Sequence, residues 1–192
     1  FHDVQMMVDG EAASALGDLV RQRWQWACGD QLPGTDSHEA EDPWPSDITP
    51  DLTDVSVAIS RTFPRYQRRE EVREVEKLFL DSIGLAKKCI YIENQYLSSY
   101  VIGEALEQRL LAENGPEIVI VMPKKTGGWL EQHTMDVLRS RIVRKLKQAD
   151  HGDRLRIFYP RLAEDPETVL MVHAKVMIID NWFLRIGSAN LS

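Results

Sequence analysis

The sequence predicts an α/β fold in which a mixed β-sheet is flanked by helices. Short apolar runs, "CIYIE" (89–93), "EIVIVMP" (117–123) and "RLRIFYP" (154–160), alternate with long amphipathic stretches, the pattern of parallel strands joined by helical crossovers. Two further apolar runs, "LMVHAKVMII" (170–179) and "WFLRIGS" (182–188), are separated only by Asp180-Asn181, a dipeptide suited to a tight hairpin, which adds an antiparallel pair. At 192 residues the chain is long enough for one well-buried core and short for two, so it reads as a single domain over 1–192.

Taken in order, "HDVQMMV" (2–8) reads as a short strand and "GEAASALGDLVRQRWQW" (10–26) as a helix ending near Cys28. Residues 28–53, rich in Pro, Asp and Gly, lack periodicity and read as a long acidic loop. "DVSVAIS" (54–60) alternates like a strand. In "EEVREVEKLFLDSIGLAKK" (70–88), Val72, Val75, Leu78, Phe79, Ile83 and Ala86 share one stripe, with acids in the first turn and lysines at the end, so a helix follows. Helices over 101–113 and 129–149 separate the three strand-like runs. No internal repeat is present.

Composition sets limits. An apolar content of 43% and a charged content of 28% are those of an ordinary globular protein, and no apolar run approaches membrane-spanning length. The net charge of −7 argues against a general nucleic-acid binder. Cys28 and Cys89 lie far apart without companion ligands, which argues against a disulfide framework or zinc site. The chain starts at Phe1 rather than a methionine, as an excised piece would.

The chemistry concentrates in "VHAKVMIID" (172–180) and "GSAN" (187–190). In a strand, residues two apart share a face, so His173 and Lys175 would project together while Val172, Ala174 and Val176 pack on the other side. An ammonium inside an apolar strand is costly unless an anion meets it, and phosphate fits. The hairpin folds Gly187-Ser188-Ala189-Asn190 back toward His173. There a Gly-Ser turn allows close backbone approach, and the Asn190 amide can donate to a phosphate oxygen.

His173-x-Lys175-x-x-x-x-Asp180 followed by Gly187-Ser188-Ala189-Asn190 resembles the HKD signature of the phospholipase D superfamily. "IYIENQYL" (90–97), "GWLEQ" (128–132) and "FHDV" (1–4) resemble segments of its phospholipase D-like branch, so the resemblance covers nearly the whole chain, the loop at 28–53 least well. It implies a phospholipase D-like half-domain and phosphodiester cleavage through a phosphohistidine, with no metal or other cofactor. Two HKD sets would meet across a pseudo-two-fold axis. His173, in the later motif, would be the general acid/base, with Lys175, Ser188 and Asn190 on the phosphate and Asp180 bracing the turn. Asp3 would hydrogen-bond His173, and Glu93, Asn94 and Gln95 would support the site.

The other histidines, His2, His38, His133 and His151, lack a lysine two residues on, so the second HKD set would come from an upstream half of the same enzyme or from a second copy in a homodimer. The resemblance to the "IENQYL" branch favours a phospholipid substrate over nucleic acid, with peripheral contact to a membrane. A nuclease, a cardiolipin synthase-like enzyme and an inactive assembly or docking fragment are the alternatives, and location is open between cytoplasm and membrane surface. The arginines at 61, 65, 68, 69 and 73 and the basic residues of 139–147 read as solvated charge, His133 and His151 as surface residues, and "KKTGGWLEQ" (124–132) as a linker or a substrate-side loop.

Overall fold

The computed structural model describes residues 1–34, 44–124, 129–163, 165 and 168–192; the side chains of 129–133 are not described. Part of the predicted acidic loop (35–43) and of the predicted substrate-side loop (125–128) therefore lies outside the described residues, as does the side chain of His133. The backbone divides into two compact units, one of residues 6–59 and one of residues 1–5 with 60–192.

The smaller unit holds α1 (Gly10–Cys28), which ends where Gly29 adopts φ 82°, a left-handed cap suited to glycine. The strand expected over 54–60 is not formed. Val55 and Val57 stand exposed, and alternation without a neighbouring edge to pair with makes no strand.

The larger unit holds a two-residue ribbon, β1 (Thr62–Phe63) with β2 (Val72–Arg73), then α2 (Glu74–Leu85), β3 (Cys89–Glu93), α3 (Tyr100–Leu111), β4 (Glu117–Val121), α4 (Trp129–Ala149), β5 (Leu155–Phe158), β6 (Val176–Ile179) and β7 (Phe183–Ile186). The main sheet runs β5-β4-β3-β6-β7, with β3, β4 and β5 parallel and β6 and β7 antiparallel to their neighbours. This is the expected mixed sheet. Ile90, Ile92, Ile118, Ile120, Met177 and Ile179 point to one face, where Phe79, Leu106 and Leu146 of the three helices cover them. Each such fully buried side chain contributes roughly 1.5–3 kcal/mol. The arginine run is largely neutralised locally, Arg61 by Glu74, Arg65 by Glu70 and Arg73 by Glu76, pairs that stabilise far less than the core.

Four expected boundaries change. The strand over 2–8 reduces to one bridge, His2 beside Val172, because the His2 carbonyl accepts from both His173 N and Ala174 N and the pairing ends there. The helix over 70–88 starts after the Val72-Arg73 pairing and stops at Leu85. The N–H groups of Lys87, Lys88 and Cys89 instead donate to the Asp180 carboxylate at 2.8, 2.7 and 2.8 Å. The long strand over 170–179 begins only at Val176, which pairs with Glu93, the last residue of β3; its 172–175 portion overruns the sheet edge and lies against His2. The return strand over 182–188 shortens to 183–186, leaving Gly187 and Ser188 outside it. The hairpin itself forms as expected, with Asp180 and Asn181 both at positive φ (51° and 59°) and Trp182 N bonded to Ile179 O.

Burial raises the affinity of Asp180 for its proton, but the three N–H donors outweigh it and hold the carboxyl below its ordinary value. Its stabilisation is therefore present above about pH 3.8, the unfolded value, and is lost as pH falls through the lower folded one. Asp180→Ala should lower stability by about 2–4 kcal/mol at neutral pH in urea unfolding, and the difference from wild type should shrink in acid. A neutral substitution would show that the clasp contributes nothing.

Candidate active site

Because β3, β4 and β5 are parallel, their C-terminal ends gather at one sheet edge, the usual place for ligands in α/β folds. The segment 172–175 and the exit of β7 reach the same edge. Val172 and Ala174 are fully buried with Val176 against Val4, Val121 and Ile186. The apolar half of the motif thus packs as one set, while His173 keeps 47% of its side chain exposed.

The His173 imidazole meets Asp3, 170 residues away in sequence, with Nδ1 and Oδ2 at 2.9 Å. An ionised carboxylate only accepts, so Nδ1 carries a proton and Nε2 is the nitrogen left for other partners. The bond from His173 holds the Asp3 carboxyl below its ordinary value; burial opposes this, and the Val4 N–H and the charges of His173 and Lys175 add to it. The edge of the Phe1 ring faces the imidazole at a centroid distance of 6.4 Å.

Lys175 is 4% exposed and makes no ion pair with a carboxylate among the described residues. Its Nζ donates to the His173 carbonyl at 2.6 Å and to Gln95 Oε1 at 3.3 Å. Burial pushes the ammonium below the ordinary lysine value, only partly offset by the charge of Asp3. A cation held this way has carbonyl partners but no neutralising one, which suits it to an incoming anion.

Glu93, Asn94 and Gln95 do three different things. Gln95 supports Lys175, as above. Asn94 is buried, and its Oδ1 accepts from the N–H groups of Tyr96 and Leu191, both at 3.2 Å, tying the exit of β3 to the segment after Asn190. Ser98 N and Ser99 N close the same seam on Leu191 O. Glu93 accepts from Tyr91 OH on one oxygen and contacts His2 Nε2 at 2.7 Å with the other. Burial first, then the Glu93 bond and charge, push the Tyr91 phenol up to about 12, so it stays a donor.

The Gly187 N–H donates to Lys175 O at 3.2 Å, extending the β6–β7 ladder and bringing the "GSAN" run beside the lysine's backbone. A side chain at 187 would press on the Arg185 guanidinium, 3.0 Å from the position of a Cβ. Ser188 stands exposed just beyond. Asn190 lines a cavity of about 540 Å³ with Thr62, Phe63, Val72, Phe79 and Ile102, and its Oδ1 is enclosed without a partner among the described residues. His173, Lys175 and Asp3 are thus close-knit, whereas no hydrogen bond joins Asn190 or Ser188 to them among the described residues. Asp180 sits at the far end of β6, on the backbone clasp described above.

Two residues carry no distinguishing signal in the sequence. No lysine follows His2 by two, and only its adjacency to Asp3 marks it. Arg185 read as a strand residue, yet its guanidinium is buried over the Phe79 ring at 4.5 Å and donates to Lys175 O at 3.3 Å. Burial lowers its proton affinity, with no acid beside it to compensate among the described residues.

No curated protein matches the chain. Among solved structures, NucT from Helicobacter pylori is similar over 61% of this chain and 67% of that one, at 17% identity and a TM-score of 0.43. The family described as cardiolipin synthase, PLD-like domain, matches residues 79–192, which is more than half of the chain and includes His173, Lys175, Asp180 and Asn190. The chain therefore belongs to the phospholipase D-like superfamily of phosphodiesterases.

Proposed function

We propose that the parent enzyme cleaves a glycerophospholipid at its phosphodiester, hydrolysing it or transferring the phosphatidyl group to an alcohol, and that residues 1–192 act as one catalytic half-domain supplying one HKD set. The observation that carries this is the Asp3–His173 pair beside a buried Lys175 that has no carboxylate partner among the described residues. The second histidine comes from the upstream half or from a second copy of the chain. It attacks phosphorus, and the bond to the leaving oxygen breaks as His173 Nε2 delivers its proton there. Water, or an acceptor alcohol, then gives a proton to His173 Nε2 while its oxygen attacks phosphorus and the P–N bond breaks. Asp3 supports the imidazolium that donates in the first step and is formed again in the second. Lys175, Ser188 and Asn190 receive the phosphate, and Asp180 braces the hairpin.

A phospholipid-synthesising role like that of a cardiolipin synthase is the second reading, and the description of the matching family supports it. The enzyme paired with its second histidine set is assayed on phosphatidylcholine vesicles with and without ethanol, and in parallel on DNA. We expect phosphatidic acid, phosphatidylethanol when ethanol is present, and a loss of about 10²–10⁴-fold in His173→Ala. Cleavage of DNA alone would overturn the lipid reading in favour of a nuclease.

If Lys175 serves phosphate rather than the fold, removing its charge should not harm stability. Folding lowers its proton affinity below the unfolded value of 10.5, so between the two values the unfolded chain binds more protons and stability rises with pH. Lys175→Met should be within about 1 kcal/mol of wild type at neutral pH or more stable, wild type should gain on it as pH approaches 10.5, and turnover should fall about 10²–10³-fold. Clear destabilisation at neutral pH would make the lysine a structural residue.

A further inference from the structure

Asp3 can act on His173 only if residues 1–5 keep their place beside 171–174, where Val4 packs against Val172, Ala174 and Val176. Phe1 is almost fully exposed. The main-chain hold is a single bridge, in which His2 N donates to Met171 O at 2.8 Å and His2 O accepts from His173 N and Ala174 N at 2.8 and 3.1 Å. No sheet ladder continues on either side.

Besides the Asp3–His173 bond, the His2 side chain makes a polar tie. Its Nε2 stands 2.7 Å from Oε2 of Glu93, a carboxylate with only 13% of its side chain exposed. Glu93 is not a mobile partner, because its backbone is paired with Val121 on one side and Val176 on the other. Its second oxygen is taken by the Tyr91 phenol, two residues earlier on the same face of β3. A fixed acceptor therefore grips the residue next to Asp3. Around Asp3 itself the charged neighbours are His173 and Lys175.

We propose that Tyr91, Glu93 and His2 form a positioning chain that sets Asp3 against His173, so that the tautomer of the His173 imidazole is governed from the sheet. The inference deepens the role given to His173 above and rests on that reading. His2 and Glu93 touch no reacting atom; they act through Asp3.

The test needs no turnover. Long-range proton–nitrogen correlation spectra of the ¹⁵N-labelled chain at neutral pH report which nitrogen of His173 carries hydrogen. Asp3→Ala sets the benchmark for an imidazole without its carboxylate. We expect wild type to show the Nδ1–H form, and His2→Ala and Glu93→Ala to lose most of it, approaching Asp3→Ala. Glu93→Gln, which keeps an acceptor for His2, should restore much of it, and Tyr91→Phe should fall between. His2 is 40% exposed, so its truncation leaves the core intact, and unchanged amide positions in β3–β7 identify variants that keep the fold. A wild-type tautomer in both His2→Ala and Glu93→Ala, while Asp3→Ala still shifts, overturns the positioning chain and leaves the function reading standing. No shift in Asp3→Ala overturns the Asp3–His173 pairing on which both depend.

Discussion

The Asp180 carboxylate fixes the register on which the site depends. It binds the N–H groups of Lys87, Lys88 and Cys89, while its own N–H donates to Cys89 O at 3.0 Å. The start of β3 is thereby locked to the end of β6. From that anchor the antiparallel pairing runs from Ile90 with Ile179 to Glu93 with Val176, and β3 then ends. Residues 172–175 overrun the edge because the anchor lies where it does. A slip of one residue would turn Met177 and Ile179 out of the core and send His173 and Lys175 to the opposite face. The third letter of the HKD motif thus acts at a distance, placing the other two without touching them.

With the register set, electrostatics shapes the edge. Lys175 and Arg185 are both buried beside one backbone segment, and neither has a carboxylate as direct partner among the described residues. Desolvation of two cations is expensive, and the carbonyls of His173 and Lys175, the Gln95 amide and the Phe79 ring repay only part of it. The core of isoleucines under the helices carries that cost. Such stored positive potential has an obvious use in a phosphodiesterase, whose substrate brings a negative charge and whose transition state gathers more.

Much of this was legible in the sequence because the motif couples positions that strand geometry and hairpin chemistry also couple. Positive φ at Asp180-Asn181, the packing of Val172, Ala174 and Val176, and the order of strands and helices from 89 onward follow from local residue types. Boundaries set by distant partners did not follow. Nothing near Leu85 announces that the next N–H groups belong to Asp180, and the Val-rich alternation at 54–60 cannot tell that it lacks a neighbour. The Asp3–His173 contact was reached by resemblance rather than by any local signal, since 170 residues separate the pair. The grip of Glu93 on His2 and the burial of Arg185 are products of packing, and sequence spacing carries no trace of them.

The central claim is that this chain carries half of a two-histidine site. It is tested most directly by following phosphodiesterase turnover per chain against concentration, alongside sedimentation, in the presence of EDTA. The account predicts negligible turnover for the monomer and a rise that tracks the paired fraction. Full turnover by a monomer, unchanged on dilution, would contradict it, because one imidazole would then be doing the work assigned to two.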